Sequence, residues 1–253
     1  MDSPYIPHGK YFISHSYKDS TARNKMIEQL PDGVEPFIFP PIDVTPMEFV
    51  SNSLIGAILA CDGMIYMNEG VSDRSFWVAF ERDYALRAEK PVFSYTPSRN
   101  TFSRHTAPPL DLAVFASYSR VETYWVESII DFMRKRRHFD VFTYNERFLS
   151  GTNFLNIVDF EINNTIERGG YMVTFWGAYE SEWIMRETLI GLERKRVIVA
   201  GLGANAPDFI EDHQDKFVQL MESGQIINNH IDDLIVRLYW LIFQNQFPEL
   251  VYE

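Results

Sequence analysis

The stretch SFWVAFE at residues 75–81 has a counterpart, SEWIMRE, at residues 181–187. Both copies fit the pattern Ser-x-Trp-(Val or Ile)-x-x-Glu. The tryptophan follows Ser14 by 63 residues in the first copy (14 to 77) and Ser117 by 66 residues in the second (117 to 183). Because the motif, its spacing and its place among the surrounding elements all recur, the pattern indicates an internal duplication.

Short apolar strands and longer helices alternate around the first copy. We predict strands at 11–14, 35–39, 64–67 and 91–95, and helices at 20–30, 45–59 and 75–88. This order is typical of a parallel sheet that is covered by helices on both faces. Right-handed crossovers then place the carboxyl ends of the strands along one edge of the sheet, where ligands bind in such folds.

The same order restarts after a polar stretch that contains three prolines. We predict strands at 112–119, 140–144, 171–175 and 197–202, and helices at 125–134, 154–166 and 182–193. An acidic loop and helix within 208–222 and an amphipathic helix at 232–244 follow. The predicted organisation is a first α/β domain at 10–96, a linker at 97–109 and a second α/β domain at 110–253. The first domain ends at its fourth strand and lacks a fifth.

Composition narrows the class of protein. The 253 residues suffice for one large domain or two small ones. A net charge of −12 argues against nucleic acid as the main partner, since a duplex-binding protein must neutralise phosphates. Cys61 is the only cysteine, which excludes an internal disulfide and favours the cytoplasm. The most apolar late stretch, 234–243, is too short to span a bilayer, and the six scattered histidines predict no metal site.

The repeated helix carries a tryptophan and a glutamate four residues apart, on the same helix face. A large ring beside a carboxylate removes water from it and raises its pKa. The structural alternative is an ordinary amphipathic helix, with the tryptophan in the core and the glutamate in water. In that alternative the repeated serines, Ser75 and Ser181, are only helix N-caps.

Three motifs resemble those of Toll/interleukin receptor (TIR) domains. The segment 12–16 (FISHS), followed by Lys18-Asp19, and the segment 115–120 (FASYSR) resemble the first strand and following loop of that family. The Ser-x-Trp-x-x-x-Glu pattern resembles the helix that bears the catalytic glutamate of TIR-type NAD-cleaving enzymes. The resemblance extends to about residue 203. It implies two TIR-like, flavodoxin-like parallel sheets in tandem, with helices on both faces.

The resemblance also implies a set of site residues. Glu81 and Glu187 would be the catalytic carboxylates, and Trp77 and Trp183 would shape the pocket. The loops after the first strands would face the ligand, two bases would meet phosphate charge, and the loop after the second strand would close the site or assist assembly. These positions are Ser14, His15, Ser16, Ser117, Tyr118 and Ser119 for the first loops, Lys18 and Arg120 for the bases, and Phe39, Pro40, Pro41, Phe148 and Gly151 for the second loops.

The function that this resemblance implies is that of an NAD glycohydrolase or ADP-ribose cyclase. NAD would be the substrate, no further cofactor or metal would be needed, and the product would signal to a separate effector protein, as in bacterial anti-phage defence. Self-association through TIR–TIR contacts is a second implication. Two alternatives stay open: a non-catalytic TIR interaction module, and an enzyme similar to nucleoside deoxyribosyltransferases. The sequence contains no G-x-G-x-x-G or P-loop, which argues against a dinucleotide oxidoreductase or an NTPase.

Overall fold

The computed structural model describes residues 4–39, 47–143, 154–178, 181–203, 205–222, 225–226 and 228–251. The chain divides into two compact units. One consists of Met1–Leu110 together with Phe247–Glu253, and the other of Asp111–Gln246. Each unit is built on its own sheet, so each has its own set of strand ends.

The sheet of the first unit has five strands in the order β2-β1-β3-β4-β5. Strands β1 to β4 run parallel to their neighbours, and β5 is antiparallel to β4. The strands are β1 (Gly9–Ser14), β2 (Val34–Phe37), β3 (Gly63–Met67), β4 (Val92–Thr96) and β5 (Thr101–Arg104); the helices are α1 (Ser20–Glu28), α2 (Met47–Ala60) and α3 (Phe76–Arg87).

The sheet of the second unit has six strands in the order β11-β10-β9-β8-β6-β7. Five are parallel, and the short β11 is antiparallel to β10. The strands are β6 (Ala113–Ser117), β7 (Asp140–Phe142), β8 (Tyr171–Trp176), β9 (Val197–Leu202), β10 (Phe217–Glu222) and β11 (Gln225–Ile226); the helices are α4 (Thr123–Arg137), α5 (Phe154–Glu167), α6 (Glu182–Glu193) and α7 (Asn228–Gln246).

Both sheets confirm the predicted fold class. Each begins with the order second-first-third-fourth strand, which is the flavodoxin-like arrangement. The central strands β3 and β8 are buried along their whole length, as parallel strands covered on both faces must be. The order of strands reverses between β1 and β3 and between β6 and β8. In such sheets the crevice at the carboxyl ends of these strand pairs is where ligands bind.

The stretch predicted as a linker, 97–109, differs from that expectation because it supplies a fifth strand to the first sheet. Residues 97–100 form a turn, with Asn100 at φ 51°, that reverses the chain. Strand β5 then pairs with β4 from Phe93–Arg104 to Thr96–Thr101. Phe102 is buried against Tyr95, with ring centroids 5.0 Å apart. One buried ring among polar residues is enough to fix this edge strand.

The region 208–222 also differs from its predicted helix. A 3-10 stretch, Asp208–Lys216, leads into β10, which pairs in parallel with β9. Val218 and Leu220 are buried and alternate with Gln219, which is the period of a strand and not of a helix. The second sheet therefore has a fifth parallel strand of its own.

The last elements of the chain belong to different units. Helix α7 spans Asn228–Gln246, and its apolar face, including Leu234, Leu238 and Ile242, is buried. The segment that follows, Phe247–Glu253, belongs to the first unit. The second unit is therefore shorter at its end than the predicted domain of 110–253. Across the described ranges, no helix combines the length and apolarity needed to cross a bilayer.

Candidate functional site

A serine and a glutamate meet at the carboxyl end of β1, the first strand of the first unit. Ser14 is the last residue of β1, and its Oγ donates a hydrogen bond to Oε2 of Glu81 on α3. The two residues are 67 positions apart in sequence, and both are buried. The sheet and the helix thus bring together two of the predicted site residues at the edge where this fold binds ligands.

The surroundings of Glu81 favour its neutral form. Burial raises the pKa of this carboxyl to about 8, while the hydrogen bond from Ser14 opposes that rise. At neutral pH and without a ligand, the carboxyl is therefore mostly protonated. A cation placed beside it would favour the ionised form, because opposite charges at short range stabilise each other in a dry site.

The second unit repeats this pair. Ser117 ends β6, and its Oγ donates to Oε2 of Glu187 on α6 at 2.5 Å. Both residues are fully buried. Thr174 on β8 is in register with Ser117 and is also fully buried, and its hydroxyl has no hydrogen-bond partner among the described residues. Sequence analysis did not single out this threonine, because it lies within the apolar run of β8.

The third residue of each Ser-x-Ser loop has a local structural role. Ser16 Oγ accepts a hydrogen bond from the backbone N–H of Lys18 at 3.3 Å, and Ser119 Oγ accepts one from Val121 at 3.3 Å. Each serine thereby caps a one-turn 3-10 helix, Tyr17–Asp19 in the first unit and Arg120–Glu122 in the second. The two predicted ligand-facing serines are thus already engaged in shaping their loops.

Asp19 connects the loop after β1 to the turn that precedes α3. Its Oδ2 accepts hydrogen bonds from the backbone N–H and the hydroxyl of Ser72, at 2.7 and 2.6 Å. Ser72 Oγ in turn accepts a bond from the backbone N–H of Ser16 at 2.9 Å. Ser72 was not predicted as a site residue. Only the structure shows that it holds the start of the glutamate-bearing helix against the serine loop.

A glycine lies beside the corresponding acid in both units. Gly70 adopts φ +74°, and a Cβ there would lie 2.8 Å from Oδ1 of Asp19. In the second unit, a Cβ on Gly177 would collide with Oε1 of Glu122. Since Asp19 and Glu122 occupy the same place in their loops, the duplication extends to the contact between this acid and the loop after the third strand.

Among the remaining predicted loop residues, His15 is buried and the two bases are exposed. Nε2 of His15 lies 3.2 Å from Nη1 of Arg23, and burial lowers the pKa of the imidazole. Lys18 and Arg120 are exposed on their loops. The structure places these bases at the surface near the strand ends, and their contact with a phosphate remains a prediction.

The repeated tryptophans do not share one environment. Trp77 is half-buried, with its ring centroid 5.3 Å from that of Phe76 and 5.8 Å from that of Phe80. Trp183 is 47% exposed, yet Glu187 one turn later is fully buried. In the second unit the helix packs on β8 and β9, and the carboxyl is buried although about half of the indole is in water.

Of the other predicted positions, the structure describes Phe39 and Tyr118. Phe39 is half-buried, and its carbonyl accepts a hydrogen bond from the Tyr17 hydroxyl at 2.6 Å. Tyr118 is buried directly after Ser117. The remaining predicted loop residues, Pro40, Pro41, Phe148 and Gly151, lie outside the described residues.

A pocket of about 140 Å³ borders α3, where Val78, Ala79 and Arg82 line it. Arg82 and Tyr66 line it, and the guanidinium carbon lies 5.2 Å from the centroid of the tyrosine ring. The Tyr66 hydroxyl is 3.0 Å from Nδ1 of His105. The other lining residues are Met67, Ser72, Asp73, Phe247, Glu249 and Leu250.

Comparison with known proteins gives distant structural likeness only. No protein-family model and no curated protein matches the sequence. Among solved structures, the chain is similar to a metazoan TIR-STING receptor from C. gigas in complex with 2',3'-cGAMP, with 19% identity and a TM-score of 0.39. The similar part covers 53% of this chain and 41% of that receptor, which is less than half of its length.

Proposed function

We propose that this chain is a TIR-like enzyme that cleaves the bond between nicotinamide and ribose in NAD, with Glu81 as the principal catalytic carboxylate and Glu187 as the second. One observation supports this most. A buried glutamate is hydrogen-bonded to the serine that ends the first strand of the unit, and the same pair occurs in both units. The pair lies at the sheet edge where flavodoxin-like folds bind their ligands.

The chemistry suits a single buried carboxylate. Breaking the nicotinamide–ribose bond builds up positive charge on the ribose, as glycoside hydrolysis does. Nicotinamide leaves as a neutral molecule from a pyridinium cation, so the reaction needs no general acid. A carboxylate fixed beside the ribose stabilises the growing charge, and it does so more strongly where water is excluded.

The protonation state of Glu81 couples this chemistry to substrate binding. Without a ligand the carboxyl is mostly neutral, because burial raises its pKa to about 8. The pyridinium charge of NAD would lower that pKa and release the proton before the bond breaks. The Ser14 hydroxyl would then donate to the ionised carboxylate and hold its orientation. Binding of the NAD cation would therefore favour the ionised form of Glu81, which is the form that stabilises positive charge on the ribose.

The direct test is to incubate the purified protein with NAD and to identify any product by mass. We expect NAD loss with the wild type and a fall of at least ~100-fold in Glu81→Gln, the scale of removing one group that stabilises a transition state. Free nucleosides, offered in parallel, should not react. Product mass distinguishes ADP-ribose from a cyclic form, either of which could be the signal to a separate effector.

Matched controls are available on exposed surfaces. Glu28 on α1 and Glu193 at the end of α6 are exposed, so Glu28→Gln and Glu193→Gln should cleave NAD at the wild-type rate. Full activity in the double variant Glu81→Gln/Glu187→Gln would contradict the proposed mechanism. Turnover of free nucleosides in preference to NAD would favour the deoxyribosyltransferase alternative.

A second candidate function, a TIR interaction module, is favoured by exposed aromatic side chains on the second unit. Tyr124 is 74% exposed, Trp125 36% and Trp183 47%. Large exposed rings of this kind are typical of docking surfaces. This function predicts no NAD loss in any variant, together with a self-associated protein that dissociates in Tyr124→Ser/Trp125→Ser, measured by sedimentation velocity.

A further inference from the structure

Helix α3, which carries Glu81, is not capped by the side chain at its N-cap position. The first amides of a helix have no partner within the helix and need one elsewhere. Ser75 occupies the N-cap position but its side chain makes no capping hydrogen bond, contrary to the role considered for it from sequence. The backbone N–H of Phe76 donates instead to the carbonyl of Val251 at 3.0 Å.

The segment 247–251 makes a second backbone contact at the same place. The N–H of Val251 donates to the carbonyl of Arg74 at 2.6 Å, and Val251 and Ser75 form a parallel bridge. Two hydrogen bonds on either side of Ser75 thus fix the entry of the chain into α3. The segment belongs to the first unit, so this contact is internal to that unit.

The turn before α3 is also held from the opposite side. Ser72 bonds to the backbone of Ser16 and to Asp19, which both follow β1. The turn 72–75 is therefore fixed between the serine loop and the segment 247–251. Because α3 starts at this turn, the position of Glu81 relative to Ser14 depends on both attachments.

The same segment shields the side of α3. Phe247, Glu249 and Leu250 form one wall of the pocket, opposite Val78 and Ala79 of the helix. Leu250 is only 7% exposed. Loss of the segment would open this face of α3 to water.

Within the described residues, which exclude 179 and 180 just before it, the corresponding helix of the second unit shows no such contact. Ser181 occupies the N-cap position of α6, and its side chain likewise makes no capping bond. Among the described residues, no isolated bridge reaches Ser181.

We infer, on the premise of the proposed function, that the segment 247–251 positions Glu81 for the reaction. It fixes the first turn of α3 through the backbone of Val251, and it closes the helix face beside the glutamate. Val251 contacts no reacting atom in this role. Its effect reaches the carboxylate only through the helix.

Val251→Pro tests the positioning role, with Val251→Ala as its matched control. Proline lacks the N–H that bonds to Arg74, whereas alanine keeps the whole backbone and shortens a side chain that is 49% exposed. Hydrogen exchange without substrate should become at least ~10-fold faster at the Phe76 amide in the proline variant only. The amides of α6 provide an internal reference and should not change.

Kinetics then separate positioning from general destabilisation. We expect Val251→Pro to lower kcat by ~10-fold with little change in KM, because a misplaced catalytic group weakens only the transition state. The apparent pKa of the rate profile should move downward as water reaches Glu81. A chain that stops after Pro248 should show the same changes if the proline variant fails to fold.

Two results would overturn the inference. One is unchanged exchange at Phe76 in both the proline and the shortened variant. The other is faster exchange with wild-type kcat and pH profile. If the wild type itself does not cleave NAD, the proposed function fails, whereas the exchange measurement still decides whether the segment holds α3.

Discussion

The two units place the same Ser–Glu pair in different surroundings. Glu81 is 8% exposed and lies on a helix that borders a pocket and is held at its start by the segment 247–251. Glu187 is 0% exposed, and the tryptophan one turn before it is half in water. The pair itself is therefore a feature of the fold that both units share. The pocket beside α3 and the attachment of that helix are the observations on which we propose Glu81 as the principal catalytic carboxylate.

The largest effect that we expect from this difference is on stability as pH changes. The pKa of Glu81 is raised from 4.5 to about 8 in the folded protein, so the folded state binds the proton more tightly than the unfolded state. Its stabilising contribution is complete below the unfolded pKa and is lost as pH rises through the folded pKa. The free energy of unfolding should fall by up to about 5 kcal/mol over that range.

Urea unfolding at a series of pH values, with Glu81→Gln as the comparison, measures this effect. The glutamine variant is neutral at every pH and should show a flatter dependence. Equal slopes in the wild type and in Glu81→Gln would mean that burial does not hold the carboxyl neutral, and would contradict the raised pKa of Glu81.

The next largest difference that we expect is in the unfolding free energy lost when each tryptophan is replaced by alanine. Trp77 is half-buried between Phe76 and Phe80, so Trp77→Ala should cost about 2 kcal/mol of unfolding free energy. Trp183→Ala should cost less than about 1 kcal/mol, since 47% of that side chain is already exposed. Similar losses in the two variants, measured by chemical denaturation, would contradict the different environments.

The smallest difference between the two units concerns the serines of the two pairs. Removing a hydroxyl that donates to a buried carboxyl should cost about 1–2 kcal/mol in Ser14→Ala and in Ser117→Ala. Only Ser14→Ala should also raise the pKa of the activity profile, because its hydrogen bond lowers the pKa of Glu81. A shift in the opposite direction would contradict the role assigned to Ser14.

Much of the fold follows from sequence because the central strands are apolar throughout. Strands β3 and β8 are buried on both faces, so their sequences are almost entirely apolar, and polar residues follow at the carboxyl ends of β1 and β6. The choice of Ser14 and Ser117 as site residues rests on the resemblance to TIR domains, and the structure shows each of them bonded to the glutamate of its unit.

The edge strands and the attachment of α3 are harder to predict from sequence. Strand β5 has one buried ring, Phe102, and β10 has a short alternation of buried and exposed residues, which local patterns do not distinguish from a loop or a helix. The contact of Val251 with Arg74 and Phe76 uses backbone atoms only. Any residue except proline could donate the backbone bond that Val251 makes. The contact therefore cannot be predicted from the type of side chain at this position.

The rate of NAD cleavage by Glu81→Gln and by Glu187→Gln, compared in one assay at neutral pH, tests the central claim most directly. We predict a loss of at least ~100-fold in the first variant and of less than ~10-fold in the second, because Glu81 has a raised pKa and lies on a helix that borders a pocket. Equal rates in wild type and Glu81→Gln, or NAD left intact by the wild type, would contradict it.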